Sequence, residues 1–118
     1  MNQKLDEKQA RFQSENTSNR LGHIASNLAR LRTFCTTAYP EAVESVADET
    51  MSFIEWTAAD IKPEYAEELV NIQVQLARWK LKFDSLWSDE SKRRNMSEQA
   101  SVWSERVLGI SGLLSESI

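Results

Sequence analysis

Seven large side chains, Tyr65, Leu69, Ile72, Leu76, Trp79, Phe83 and Leu86, follow one another at intervals of four, three, four, three, four and three residues. That spacing stacks them on one stripe of an α-helix and is incompatible with a strand, whose side chains alternate with a period of two. A helix carrying such a stripe draws most of its stability from packing that stripe against other elements. The rest of the chain should therefore supply partners of the same kind.

It supplies three. Leu21, Ile24, Leu28, Leu31, Cys35 and Ala38 repeat at three and four, behind a cluster of N-cap residues, Asn16, Thr17, Ser18 and Asn19. Pro40 ends that helix and suits the first position of the next, whose stripe reads Ala47, Met51, Ile54, Ala58 and Ile61. Val43, Val46, Phe53 and Trp56 widen its apolar surface. Pro63 repeats the punctuation and opens the helix of the seven-residue stripe, expected to end near Trp87 in the polar turn Ser88, Asp89, Glu90 and Ser91. Asn95 with Glu98 has the form of a capping box, placing Lys92, Arg93 and Arg94 in a solvated connection; Met96, Ala100, Trp103, Val107, Ile110 and Leu114 then mark a fourth helix. Gly109 and Gly112 weaken its last turns by roughly 1 kcal/mol each relative to alanine. It should fray after Ile110 or admit a close neighbour there.

The expected fold is all-α: an antiparallel up-down-up-down four-helix bundle over residues 19–118, because helices joined by short connections reverse direction and four stripes bury one another by facing a common centre. Residues 1–18 hold only Leu5 and Phe12 as bulky apolar groups besides Met1. They read as a flexible arm, frayed helical or disordered. A chain of 118 residues has the size of one domain.

Composition narrows the function classes. With 41% hydrophobic and 27% charged residues, the chain is neither disordered in character nor membrane-spanning. The uncharged run Val107–Ser115 is far shorter than the roughly 20 residues of a bilayer span. The polar start Met1-Asn2-Gln3-Lys4 lacks the apolar core of an export signal, and a cytoplasmic location is expected. A net charge of −4 disfavours nucleic acid as a partner. Nine acidic residues and only Lys62 lie between Glu41 and Glu68, whereas residues 69–94 hold six basic and three acidic groups. Much of this asymmetry places acids at the start of the third helix and bases near its end, where each opposes the helix dipole.

Chemistry-bearing patterns are few. Cys35 is the only cysteine and His23 the only histidine, so neither an intramolecular disulfide nor a multi-Cys or Glu-x-x-His metal site can be built. Three glycines, at 22, 109 and 112, form no phosphate-binding loop. No catalytic residue, cofactor or metal is expected. His23 faces away from the apolar stripe of its helix, as the phosphate acceptor does in the four-helix histidine phosphotransfer domains. Ser26 and Asn27, however, stand where that family's His-x-x-Lys-Gly pattern has lysine and glycine.

Two stretches, Phe53-Ile-Glu-Trp-Thr-Ala-Ala-Asp-Ile61 and Ser101-Val-Trp-Ser-Glu-Arg-Val-Leu-Gly-Ile-Ser-Gly-Leu-Leu114, resemble small uncharacterised all-helical proteins of cyanobacteria. The resemblance covers about a fifth of the chain; it implies a lineage and assigns no activity or residue.

One feature exceeds what a bundle needs. Val70, Val74, Ala77 and Leu81 form a second stripe nearly opposite the first on the same helix, where a corner helix should be polar. Either this helix is covered on both sides by its own chain or the stripe meets another molecule. The second reading is preferred, with a second copy as the first partner, because symmetric pairs are the commonest oligomers. Among the four tryptophans, Trp79 and Trp103 belong to the core. Trp56 and Trp87 lie off the main stripes and are candidate anchors for a partner as well as core residues. The leading functional expectation is a non-enzymatic protein–protein interaction module, an adaptor or regulator. Phosphotransfer through His23 and the binding of a small apolar ligand between the helices are the alternatives.

Overall fold

A computed structural model of the chain describes residues 3–116, with side chains for residues 3–112. It is all-helical: α1 (Gln3–Gln13), α2 (Thr17–Thr36), α3 (Pro40–Ala58), α4 (Pro63–Leu81), α5 (Phe83–Trp87) and α6 (Glu90–Glu116). No strand occurs among the described residues, and no helix there is long and apolar enough to cross a membrane. The molecule measures 44 × 35 × 21 Å.

Six helices replace the four expected for two local reasons, and a third moves a helix boundary. The expected flexible arm contains α1, and Phe12 docks it: the ring is buried and stacks on Phe53 with centroids 4.1 Å apart. Lys8 adds an ion pair to Glu49 and lies over the Phe53 ring. The expected third helix is broken at Lys82 into α4 and α5. Neither proline nor glycine marks this break. The turn brings Phe83, Leu86 and Trp87 onto the core beside α6. The fourth helix begins at Glu90 rather than after Asn95, because Asp89 Oδ1 accepts from the backbone N–H groups of Ser91 (2.9 Å) and Lys92 (3.2 Å). Lys92, Arg93 and Arg94 are thereby helical, and Arg93 lies over the Trp87 ring. Gly109 and Gly112 do not end α6, and a Cβ at either would meet nothing within 4 Å. The side chain of Leu114 lies outside the described residues.

Other signals act where they stand in the sequence. Asn16 caps α2 by accepting from the N–H of Asn19 at 2.8 Å, and Pro40 and Pro63 occupy the first turns of α3 and α4. Leu21, Ile24, Leu28, Leu31 and Cys35 are buried. Ala38 is not; it lies beyond the helix end in the left-handed region at φ 57°. On α3 the buried stripe is Val43, Ala47, Thr50, Ile54 and Thr57 with Phe53, whereas the expected Met51, Ala58 and Ile61 are half-buried. Two threonines can occupy core positions because each hydroxyl donates back to its own helix, Thr50 to Val46 O (2.7 Å) and Thr57 to Phe53 O (2.8 Å).

The most extensive helix contact is α2 against α6. Three serines of α6 set it: Ser97, Ser104 and Ser111 donate to the carbonyls of Arg32 (3.0 Å), Ala25 (2.8 Å) and Ser18 (2.8 Å). Donors ascend by seven residues while acceptors descend by seven, so the helices run antiparallel in a fixed register. Small hydroxyls let the two backbones approach closely, and the bonds satisfy polar atoms that this approach buries. A second device ties the chain ends of three helices together. Buried Arg20 donates to Trp56 O and Asp60 Oδ2, both at 2.9 Å, and to Glu15 O at 3.2 Å.

Candidate interaction surface

The core pins α4 by one side only. Leu69, Ile72 and Leu76 are buried, with Tyr65 and Trp79 half-buried on the same stripe. One flank is tied to α3: Gln73 donates to Met51 O at 3.0 Å and Lys80 to Asp48 at 2.6 Å. That bond to Asp48 holds the Lys80 ammonium above its ordinary pKa.

The opposite face is open. Val70 is 41% exposed, Val74 43% and Leu81 86%, and Ala77 is exposed between them. Four apolar side chains at helical spacing thus stand on the surface, and the chain does not cover them with another of its own described elements. The remaining flank borders a groove of about 630 Å³ between α4 and α6. Glu68, Asn71, Gln75 and Arg78 line it from α4, and Gln99, Trp103 and Arg106 from α6. Trp79 and Trp103 bridge the two helices, with ring centroids 5.2 Å apart; Trp103 is buried and Trp79 half-buried. The groove has a mostly polar lining, which suits water or a polar partner better than a small apolar ligand.

The six candidate contact residues do not form one patch. Val70, Val74, Ala77 and Leu81 share the outer face of α4. Trp56 packs with Phe12 and Phe53, at centroid distances of 5.9 and 6.0 Å. Trp87 stacks on Phe83 at 5.3 Å, under the Arg93 guanidinium. Both rings are half-buried against their own chain. What the sequence concealed here was the aromatic partner of Trp56, since Phe12 lies on a segment with little other apolar content.

His23 is exposed as expected, and its Nε2 lies 2.9 Å from a Glu15 carboxylate oxygen. Cys35 is buried, and burial pushes its thiol up to about 11, which removes the thiolate a nucleophile requires. Among the described residues no group of three or more His, Cys, Asp or Glu side chains is gathered to hold a metal ion. No family model, no curated protein and no solved structure matches this chain.

Proposed function

We propose that this chain is a non-enzymatic helical interaction module that self-associates through the outer face of α4. The observation that carries the reading is the exposed stripe of Val70, Val74, Ala77 and Leu81 on a helix whose opposite side is fixed in the core. Apolar surface leaves water favourably, at about 25 cal/mol per Å², and a second copy offers an identical stripe in a symmetric pair. In this reading α2, α3, α4 and α6 form an up-down-up-down four-helix bundle that serves as scaffold. The module works in the cytoplasm, where a lone thiol stays reduced.

Light scattering at micromolar concentration is expected to give the mass of a dimer. Val74→Glu combined with Leu81→Glu should give a folded monomer, because both positions are exposed and the charges enter solvent rather than core. A monomeric wild type, or a double variant that loses its helical circular dichroism, would overturn the reading.

A further inference from the structure

Resting on that self-association, we infer that two copies pair α4 against α4 in antiparallel orientation, with a two-fold axis level with Ile72, and that Glu64 and Arg78 on one flank of the stripe set the register. The stripe is a heptad seam: Val70 and Ala77 occupy one of its two core positions and Val74 and Leu81 the other. Continued toward the N-terminus at the same spacing, the seam runs through Glu67 and Pro63. Two flanks border it. Ala66, Gln73 and Lys80 lie toward α3, where Gln73 and Lys80 already have partners. Glu64, Asn71 and Arg78 lie on the other flank at intervals of seven; all three are exposed, and none makes a side-chain hydrogen bond or ion pair among the described residues.

Charge decides the orientation. A parallel pair would set Glu64, Glu67 and Glu68 of one copy beside the same three residues of the other and align two helix dipoles. An antiparallel pair sets those acids beside the partner's Arg78, Lys80 and Lys82 and opposes the dipoles.

Charge also decides between the two antiparallel registers that keep the seam in layers. In one, Val70 meets the partner's Leu81 and Val74 the partner's Ala77, and Arg78 then faces the partner's uncharged Asn71 on each side of the axis. In the other, Val70 meets the partner's Val74, Leu81 meets the partner's Pro63, and the Glu67 stem covers the partner's Ala77. Flanking residues of an antiparallel pair face their own kind across the seam. The second register therefore puts Glu64 beside the partner's Arg78 twice, once on each side of the axis, and Asn71 beside the partner's Asn71 at the axis. It covers every residue of the stripe and gives two opposite-charge pairs where the first register has none.

Single substitutions Asn71→Cys and Arg78→Cys, treated with a short bismaleimide, read the register directly. At a helical rise of about 1.5 Å per residue, the two sites at 71 are offset along the axis by about 3 Å and those at 78 by about 18 Å. Cross-linked dimer is expected from Asn71→Cys and not from Arg78→Cys, with the wild type as control for Cys35. Preference for 78 would mean the other register, which overturns the inference while leaving self-association intact. A dimer by light scattering that cross-links at neither site means parallel helices or an interface elsewhere and also overturns it. A monomer would instead remove the underlying reading. As a second measurement, Glu64→Arg or Arg78→Glu alone should weaken the dimer by about tenfold, and the two together should restore it; failure of that rescue counts against the pairing.

Discussion

Ala38 holds a backbone conformation that suits glycine. Its φ of 57° places it at the left-handed position that follows α2, and the Tyr39 N–H bonds back to Phe34 O at 3.0 Å across it. An L-residue with a Cβ pays for that conformation by about 1–2 kcal/mol, whereas glycine adopts it freely but loses more entropy on folding. The balance predicts that Ala38→Gly stabilises the protein by roughly 0.5–1 kcal/mol, seen as a higher urea midpoint at unchanged slope. An unchanged or lower midpoint would mean that the turn carries no strain. In the sequence, Ala38 extends the apolar pattern of α2 by one more step, and Pro40 alone signals that the helix has stopped. Residue type and spacing place a helix end within a few residues, but the conformation that ends it depends on bonds the pattern does not encode.

At the scale of the element, the helix pair α2 and α6 shows why some of the packing was legible and some was not. Large apolar stripes announce themselves, and Leu21 to Cys35 and Met96 to Ile110 could be read from spacing alone. Ser97, Ser104 and Ser111 are small and polar, so they read as surface, although their interval of seven is the same signal in another chemistry. Thr50 and Thr57 were concealed on α3 in the same way. The break at Lys82 left no mark at all, since Phe83 and Leu86 continue the period of α4. For the serines the structure predicts a size dependence. Ser104→Ala removes one hydrogen bond whose acceptor carbonyl keeps its helical geometry, at a cost of about 1 kcal/mol. Ser104→Leu forces a large side chain between close backbones and should cost about 1–3 kcal/mol. Chemical denaturation of the two variants checks the order; equal losses would show that the hydroxyl, not the close approach, matters. Of the candidate surface, the α4 stripe was legible because exposed apolar residues share the helical period, while the own-chain packing of Trp56 and Trp87 depended in part on Phe12, in the segment before the first stripe, and on Arg93, which reads as part of a solvated connection.

For the whole molecule, charge is one of the means by which α1 is attached. Besides the Phe12 ring, it reaches α3 through Lys8 and Glu49, and Glu49 also accepts from buried Asn27 at 3.1 Å, whose own oxygen accepts from Arg30 at 3.1 Å. Burial by itself would raise the Glu49 pKa, but the hydrogen bonds from Lys8 and Asn27, together with the charges of Lys8 and Arg30, outweigh it and hold the carboxyl below its ordinary value of 4.5. A carboxyl held lower in the folded state than in the unfolded chain stabilises folding above the unfolded pKa, and the contribution disappears as pH falls through the folded one. Glu49→Gln keeps the shape of the side chain and removes its titration. The wild type should therefore have the higher urea midpoint at about pH 7, and the difference should shrink below about pH 4.5 and vanish in stronger acid. Urea is the appropriate denaturant because guanidinium would screen the pair under test. A wild-type advantage that persists unchanged in acid would place the stabilisation in packing around residue 49 and not in its charge. If loss of that charge also loosens α1, backbone amides of Gln3–Gln13 will exchange hydrogen faster in Glu49→Gln while those of the α2–α6 pair keep their protection.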